Sequence, residues 1–133
     1  MEKIKRDKTK EKLINHLITK DYNLHQGSDD PNVFTVYTPY DKNFIVSFYS
    51  DFVLLSVLYD FSKFDISRKK MLKLINELNT QSIRMKFAVD KDSVIIIQTR
   101  VQKCYNRKTF QCLLDDVEFD ISISFTDIVK KYI

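Results

Sequence analysis

Between Ser67 and Val101 the spacing of apolar positions changes period, and that change organises the chain. Met71, Leu72, Leu74, Ile75 and Leu78 recur at steps of three and four, the signature of one helical face. Ile83, Met85, Phe87 and Val89 then alternate, as in a half-buried strand. Ser67 is placed to cap the helix, because its hydroxyl can accept from a free N–H of the first turn. The pattern predicts a helix from Ser67 to residues 79–82, a strand over 83–90, a turn at Lys91-Asp92 and a strand over 93–102. Leu72, Ile75, Leu78, Met85, Phe87 and Val57 are the expected core.

Upstream, Leu13, Ile14, Leu17 and Ile18 form an apolar stripe among lysines, predicting a first helix from residue 4 or 5 to residue 20. Residues 21–32 hold the single glycine, Gly27, with Asp29-Asp30 and Pro31, and read as a loop. Three strands are expected next, at 33–38, 44–50 and 52–60. The turns, Pro39 to Asn43 and Ser50-Asp51, are short enough to permit only an antiparallel meander. In residues 106–133, Phe110, Leu113, Leu114, Val117, Ile121, Phe125, Ile128 and Tyr132 fall at helical steps, so a long C-terminal helix is expected. Its rival is a strand, because Phe119, Ile121, Ile123 and Phe125 also alternate. The expected fold is α+β and two-layered: helix, three strands, helix, two strands, helix. Its five-stranded antiparallel sheet belongs to a single domain spanning residues 1–133.

Composition narrows the function. A chain of 133 residues buries about two-thirds of the surface its unfolded form exposes, and ten Phe with seven Tyr supply bulk for a core. No apolar run approaches the roughly 18 residues of a membrane span. The first dozen residues alternate Lys with Glu and Asp and lack the apolar stretch of a secretory signal, so a cytoplasmic location is expected. One glycine is too few for the loops that bring backbone against phosphates, which excludes phosphate-loop and dinucleotide-binding folds. Cys104 and Cys112 match neither a redox pair nor a zinc-ligand set and read as reduced structural thiols. The net charge of +4 is uneven: residues 13–66 carry three Lys or Arg against seven acids, and residues 67–91 seven against two. The second helix and the strand after it are therefore the basic part.

The element order, together with Leu72-Lys73-Leu74-Ile75-Asn76-Glu77-Leu78-Asn79, the basic strand from Arg84 to Val89, the acidic turn Asp90-Lys91-Asp92 and the strand from Val94 to Val101, resembles the YbjN-like bacterial "sensory transduction regulator" family. That family shares its fold with type III secretion chaperones, and the resemblance covers nearly the whole chain. It implies a secretion-chaperone-like fold and a small, non-enzymatic bacterial protein that engages other proteins and often pairs with itself. It carries over no catalytic residues.

Candidate chemistry is sparse. His25 with Asp29 and Asp30 lacks the dense spacing of metal sites, and Asp90, Asp92 and Ser93 lack the glycine and terminal acid of a calcium loop. Asp115, Asp116, Glu118 and Asp120 read as the solvated face of the last helix rather than an acid–base group. No cofactor, metal or catalytic residue is expected. Arg68, Lys69, Lys70 and Lys73 open the second helix, and Arg84 and Lys86 follow on the strand; such a cluster can neutralise phosphates. Without aromatics among the cations, solvated lysines are the preferred reading over a nucleic-acid surface.

The sheet is apolar on both faces. Strand three divides Val53, Leu55, Val57 and Tyr59 from Phe52, Leu54 and Leu58, and strand two divides Phe44, Val46 and Phe48 from Ile45 and Tyr49. Helices on one side cannot hide both sets. Either a helix crosses to the second face, or that face is an interface for a protein partner or a second copy, with Phe44, Phe48, Tyr49, Phe52 and Tyr59 as the aromatic candidates and one set per strand exposed. Binding a protein without chemistry is the expected function, with nucleic-acid regulation through the basic surface as the alternative.

Overall fold

The computed structural model describes residues 7–27, 29–39, 42–90 and 93–133. The expected start of the first helix and the turn residues Tyr40, Asp41, Lys91 and Asp92 lie outside the described residues.

Helix α1 is Lys8–Thr19, capped by Asp7, whose carboxylate accepts from the Lys10 N–H at 3.0 Å. A short strand, β1 (Asn23–His25), follows and pairs with β2 (Val33–Tyr37). Strands β3 (Asn43–Phe48) and β4 (Phe52–Asp60) complete the expected meander. Helix α2 is Arg68–Gln81, with Ser67 as the expected cap, its hydroxyl accepting from the Lys70 N–H at 3.2 Å. Strands β5 (Lys86–Asp90) and β6 (Val94–Gln102) lead to α3 (Arg107–Glu118), a π-helical turn at Phe119–Ile123, and α4 (Ser124–Val129).

The described residues thus form a six-stranded antiparallel sheet, ordered β1-β2-β3-β4-β6-β5, rather than five strands. The extra strand lies where a loop was expected. Only three residues long, it forms because Leu24 packs against the core opposite Val36, a tertiary cause that local composition does not carry. Strand β5 is shorter than the expected 83–90, because the backbone of Ile83, Arg84 and Met85 is bound elsewhere: their N–H groups donate to the Asp120 carboxylate at 2.8, 2.7 and 2.8 Å.

All the buried strand residues lie on one face. Val36, Phe44, Val46, Phe48, Val53, Leu55, Phe87, Ile95 and Ile97 join Leu13 and Leu17 of α1, Met71, Leu74 and Leu78 of α2, and Leu114 and Val117 of α3 in one core cluster. Every helix therefore lies on that face. Leu78, Met85 and Phe87 are buried as expected, and Val57 and Ile75 are partly buried against the core. Leu72 is 50% exposed: it flanks the stripe of Met71, Leu74 and Leu78 instead of joining it.

The C-terminal segment is helical, which settles the rival strand reading. The π-turn inserts one residue into the helix repeat, so Asp120 and Ile121 both face inward while Ile123 is exposed. Asp120 is fully buried, not part of a solvated face. At the outer edge of β5, Asn79 of α2 stands in for a neighbouring strand. Its amide donates to the Phe87 carbonyl at 2.9 Å, and its oxygen accepts from the Phe87 N–H at 2.8 Å.

Candidate interaction surface

The pleat decides which candidate residues share a surface. Register pairs Phe44 with Val36, Phe48 with Val53, and both aromatics point into the helix layer, where they are 4% and 5% exposed. They are core, not interface. Tyr59 also lies on the helix side, against Phe61 and Phe125 with ring centroids 5.0 and 4.9 Å away, although it keeps partial exposure. Alternation had left both faces apolar, so periodicity alone gave no way to choose the inward set.

Tyr49 and Phe52 do occupy the opposite face, which nothing covers among the described residues. They stack across the Ser50-Asp51 turn with centroids 4.5 Å apart and planes 16° apart. Arg100 of β6 lies over the Phe52 ring at 4.0 Å, a contact that stabilises both the cation and the ring. Because β4 lies between β3 and β6, Phe52 is the middle layer of a Tyr–Phe–Arg stack and is covered on both faces. Beside it Leu54, Ala88 and Ile96 floor a shallow depression with Lys86 and Arg100 at its side. Further along β4, Leu58 is 61% exposed. Arg100 was missed in the sequence because a lone arginine in an alternating strand carries no signal until its cross-strand neighbour is known.

Charge on this face is polarised along the strands. Lys86 and Arg100 stand towards the Phe52 end, while Asp60 and Asp90 flank Val94 at the other. The Ser62 N–H, donating at 2.8 Å, and then the Ser62 hydroxyl hold the Asp60 carboxyl below the usual carboxylate range.

The expected basic cluster is divided by the sheet. Arg68, Lys69, Lys70 and Lys73 are exposed on α2 in the helix layer, whereas Lys86 projects from the opposite face. Arg84 lies between, its guanidinium 3.1 Å from the Asp116 carboxylate.

The four C-terminal carboxylates do not converge either. Asp115 accepts from the Gln111 amide at 3.0 Å, Asp116 pairs with Arg84, and Asp120 binds three backbone N–H groups. Burial, and then the charge of Asp115, push the Glu118 carboxyl up. Among the described residues no group of three or more His, Cys, Asp or Glu side chains is placed to hold a metal ion. Both cysteines are exposed rather than packed, which corrects their reading as structural thiols.

No family model matches the chain, and no curated protein matches it. Solved structures do. YbjN from E. coli, a candidate transcription regulator, superposes with a TM-score of 0.62 at 11% identity over 91% of each chain. An uncharacterised protein from Methanothermobacter thermautotrophicus superposes with a TM-score of 0.68 at 13% identity, covering 93% of this chain and 99% of its own. No helix among the described residues is long and apolar enough to cross a membrane. At such low identity the likeness is one of architecture: the chain has a YbjN-like fold.

Proposed function

We infer that the protein is a non-enzymatic interaction module that binds a protein partner, or a second copy of itself, through the uncovered face of its sheet. The observation that carries this reading is the apolar surface of Tyr49, Phe52, Leu54, Leu58 and Ile96, left outside the core, which lies on the other side of the sheet. Exposed apolar surface of this kind marks interaction sites, and its flanking charges supply a polar rim. A cytoplasmic regulator or chaperone-like role fits such a surface. Polyanion binding through α2 has weaker support, since the sheet separates Lys86 from the helix cations and the Phe52 ring has no free face on which a base can stack.

The test compares the native protein with Leu54→Ser, Leu58→Ser and Ile96→Ser combined. Light scattering and affinity capture at low and high salt should show association in the native protein that tolerates salt and is lost in the variant, with circular dichroism unchanged. If the variant associates normally, the sheet-face reading fails. If the only retention is on a polyanion column, falls with salt and disappears when Arg68, Lys69, Lys70 and Lys73 become Gln, the rival replaces it.

A further inference from the structure

A pocket of about 380 Å³ opens inside the helix layer, between α1, α3 and the inner face of the sheet. Its deep wall is formed by Leu13, Leu17, Val46, Val53, Leu55 and Leu113 with the rings of Phe44, Phe48 and Phe110, and its polar residues, Arg84, Arg100, Gln102, Cys104, Asn106 and Thr109, are all exposed and so form the mouth. Protein cores are packed to nearly crystalline density, with few voids larger than a water molecule. A space of this size, open to solvent at its mouth, lies within the range of small-molecule sites. Water is a poor occupant, because a buried water needs two to four polar partners and the deep wall has none.

The two helices that roof the pocket are also tied to one another. Nε2 of buried His16 in α1 donates to the Gln111 side-chain oxygen of α3 at 2.9 Å, and its Nδ1 is hydrogen-bonded to the Tyr105 hydroxyl at 3.0 Å. The Phe110 ring meets the imidazole edge-on at 4.9 Å. This polar contact joins α1 and α3, the two helices that line the pocket.

We propose that this pocket binds the apolar tail of a small aliphatic amphiphile, with its head group at the mouth beside Asn106, Thr109 and Cys104. The wall supplies apolar contact without a buried charge, and the polar residues sit only where a head group would emerge. The pocket lies on the inner side of the strands whose outer side is the uncovered face, with Arg100 of β6 at the border of both.

Decanol, uncharged and below its aggregation limit, is the probe. Saturable binding should slow alkylation of Cys104 at the mouth several-fold while leaving Cys112, also exposed but not part of the pocket, unchanged. The methyl resonances of Leu13, Val46 and Leu113 should shift together in the native protein. Val101→Phe, which thickens a half-buried wall position, should weaken binding, whereas Leu54→Ser on the opposite face should not. Absence of saturable binding, equal protection of both thiols, or loss of binding in Leu54→Ser alone would overturn the proposal. The methyl shifts decide the matter even if Val101→Phe does not fold.

Discussion

Replacing Asp120 with Ala tests whether one buried carboxylate holds the loop between α2 and β5 in place. Its oxygens accept from the N–H groups of Ile83, Arg84 and Met85 at 2.8, 2.7 and 2.8 Å, and the residue is fully buried. Hydrogen bonds to a charged group contribute about 1.5 to 3 kcal/mol each, and a buried donor left without a partner costs about 1 to 3 kcal/mol. The three are not equal. Ile83 and Arg84 are exposed, so water can reach their N–H groups once the loop shifts, whereas Met85 is 1% exposed and its N–H stays in the core. The full cost of one buried orphan plus partial loss of two exposed bonds gives about 3 to 4 kcal/mol, a large share of the roughly 5 to 15 kcal/mol that holds a domain together. Asp120→Asn keeps one acceptor oxygen but turns an NH₂ towards the same donors, so it should recover only part of the loss. Urea unfolding monitored by circular dichroism, with the slope checked for constancy, measures both variants. Hydrogen exchange should show protection lost first at Ile83, Arg84 and Met85. A loss under about 1 kcal/mol for the alanine variant, on the same scale of bond energies, would refute the account.

Leu74→Ala should cost about 2 to 5 kcal/mol because the side chain is fully buried. Leu72→Ala, on the exposed flank of the same helix, should fall within about 0.5 kcal/mol of native, and equal losses in a denaturant titration would contradict the helix orientation. Removing the Asn79 amide with Asn79→Ala should cost about 1 kcal/mol, since water reaches the edge of β5, and should raise light scattering on storage; a variant as monodisperse as native would speak against edge protection. Lys131 donates to Glu77 at 2.8 Å and the Tyr132 hydroxyl donates to the same carboxylate at 3.1 Å, clasping the C-terminus to α2. Chiefly through its hydrogen bond, the Lys131 ammonium holds the Glu77 carboxyl below its usual 4.5, and Glu77 in turn lifts Lys131 above 10.5. The clasp is therefore intact between those values, lost as pH falls through the lowered Glu77 value and lost again as pH rises through the raised Lys131 value. Glu77→Gln should flatten both arms of a melting-temperature profile against pH, and an unchanged profile would show that the clasp contributes nothing.

The elements that sequence periodicity located were those whose burial is one-sided and local. The start of α2 follows from Ser67 and the Met71, Leu74, Leu78 stripe, and the meander follows from turns too short for any other connection. What escaped depends on partners distant in sequence. Strand β1 exists because β2 offers an edge and Leu24 reaches the core. The inward turn of Asp120 arises from a π-turn that no residue in 119–123 announces, and its purpose is visible only beside the 83–85 backbone. At the interaction surface, the existence of two apolar faces was legible but their assignment was not. Phe44 and Phe48 went to the core, and Tyr49 and Phe52 to the open face, because the helices chose a side.

The strand order also bears on how the chain is made. Strand β6 lies between β4 and β5, and its ladder with β4 runs from Phe52 opposite Gln102 to Asp60 opposite Val94, the longest in the sheet. During synthesis the meander and α2 emerge first, leaving the edge of β4 that β6 later covers without its full partner until Gln102 has left the ribosome. That margin includes Phe52, Val53, Leu54 and Leu55 without an intervening charge, a hazard for pairing between nascent chains. Insertion of β6 removes the hazard and gives β5 its strand neighbour in the same event. The time between the emergence of Asp60 and of Gln102 is thus the interval in which the newborn chain most needs protection from its own kind.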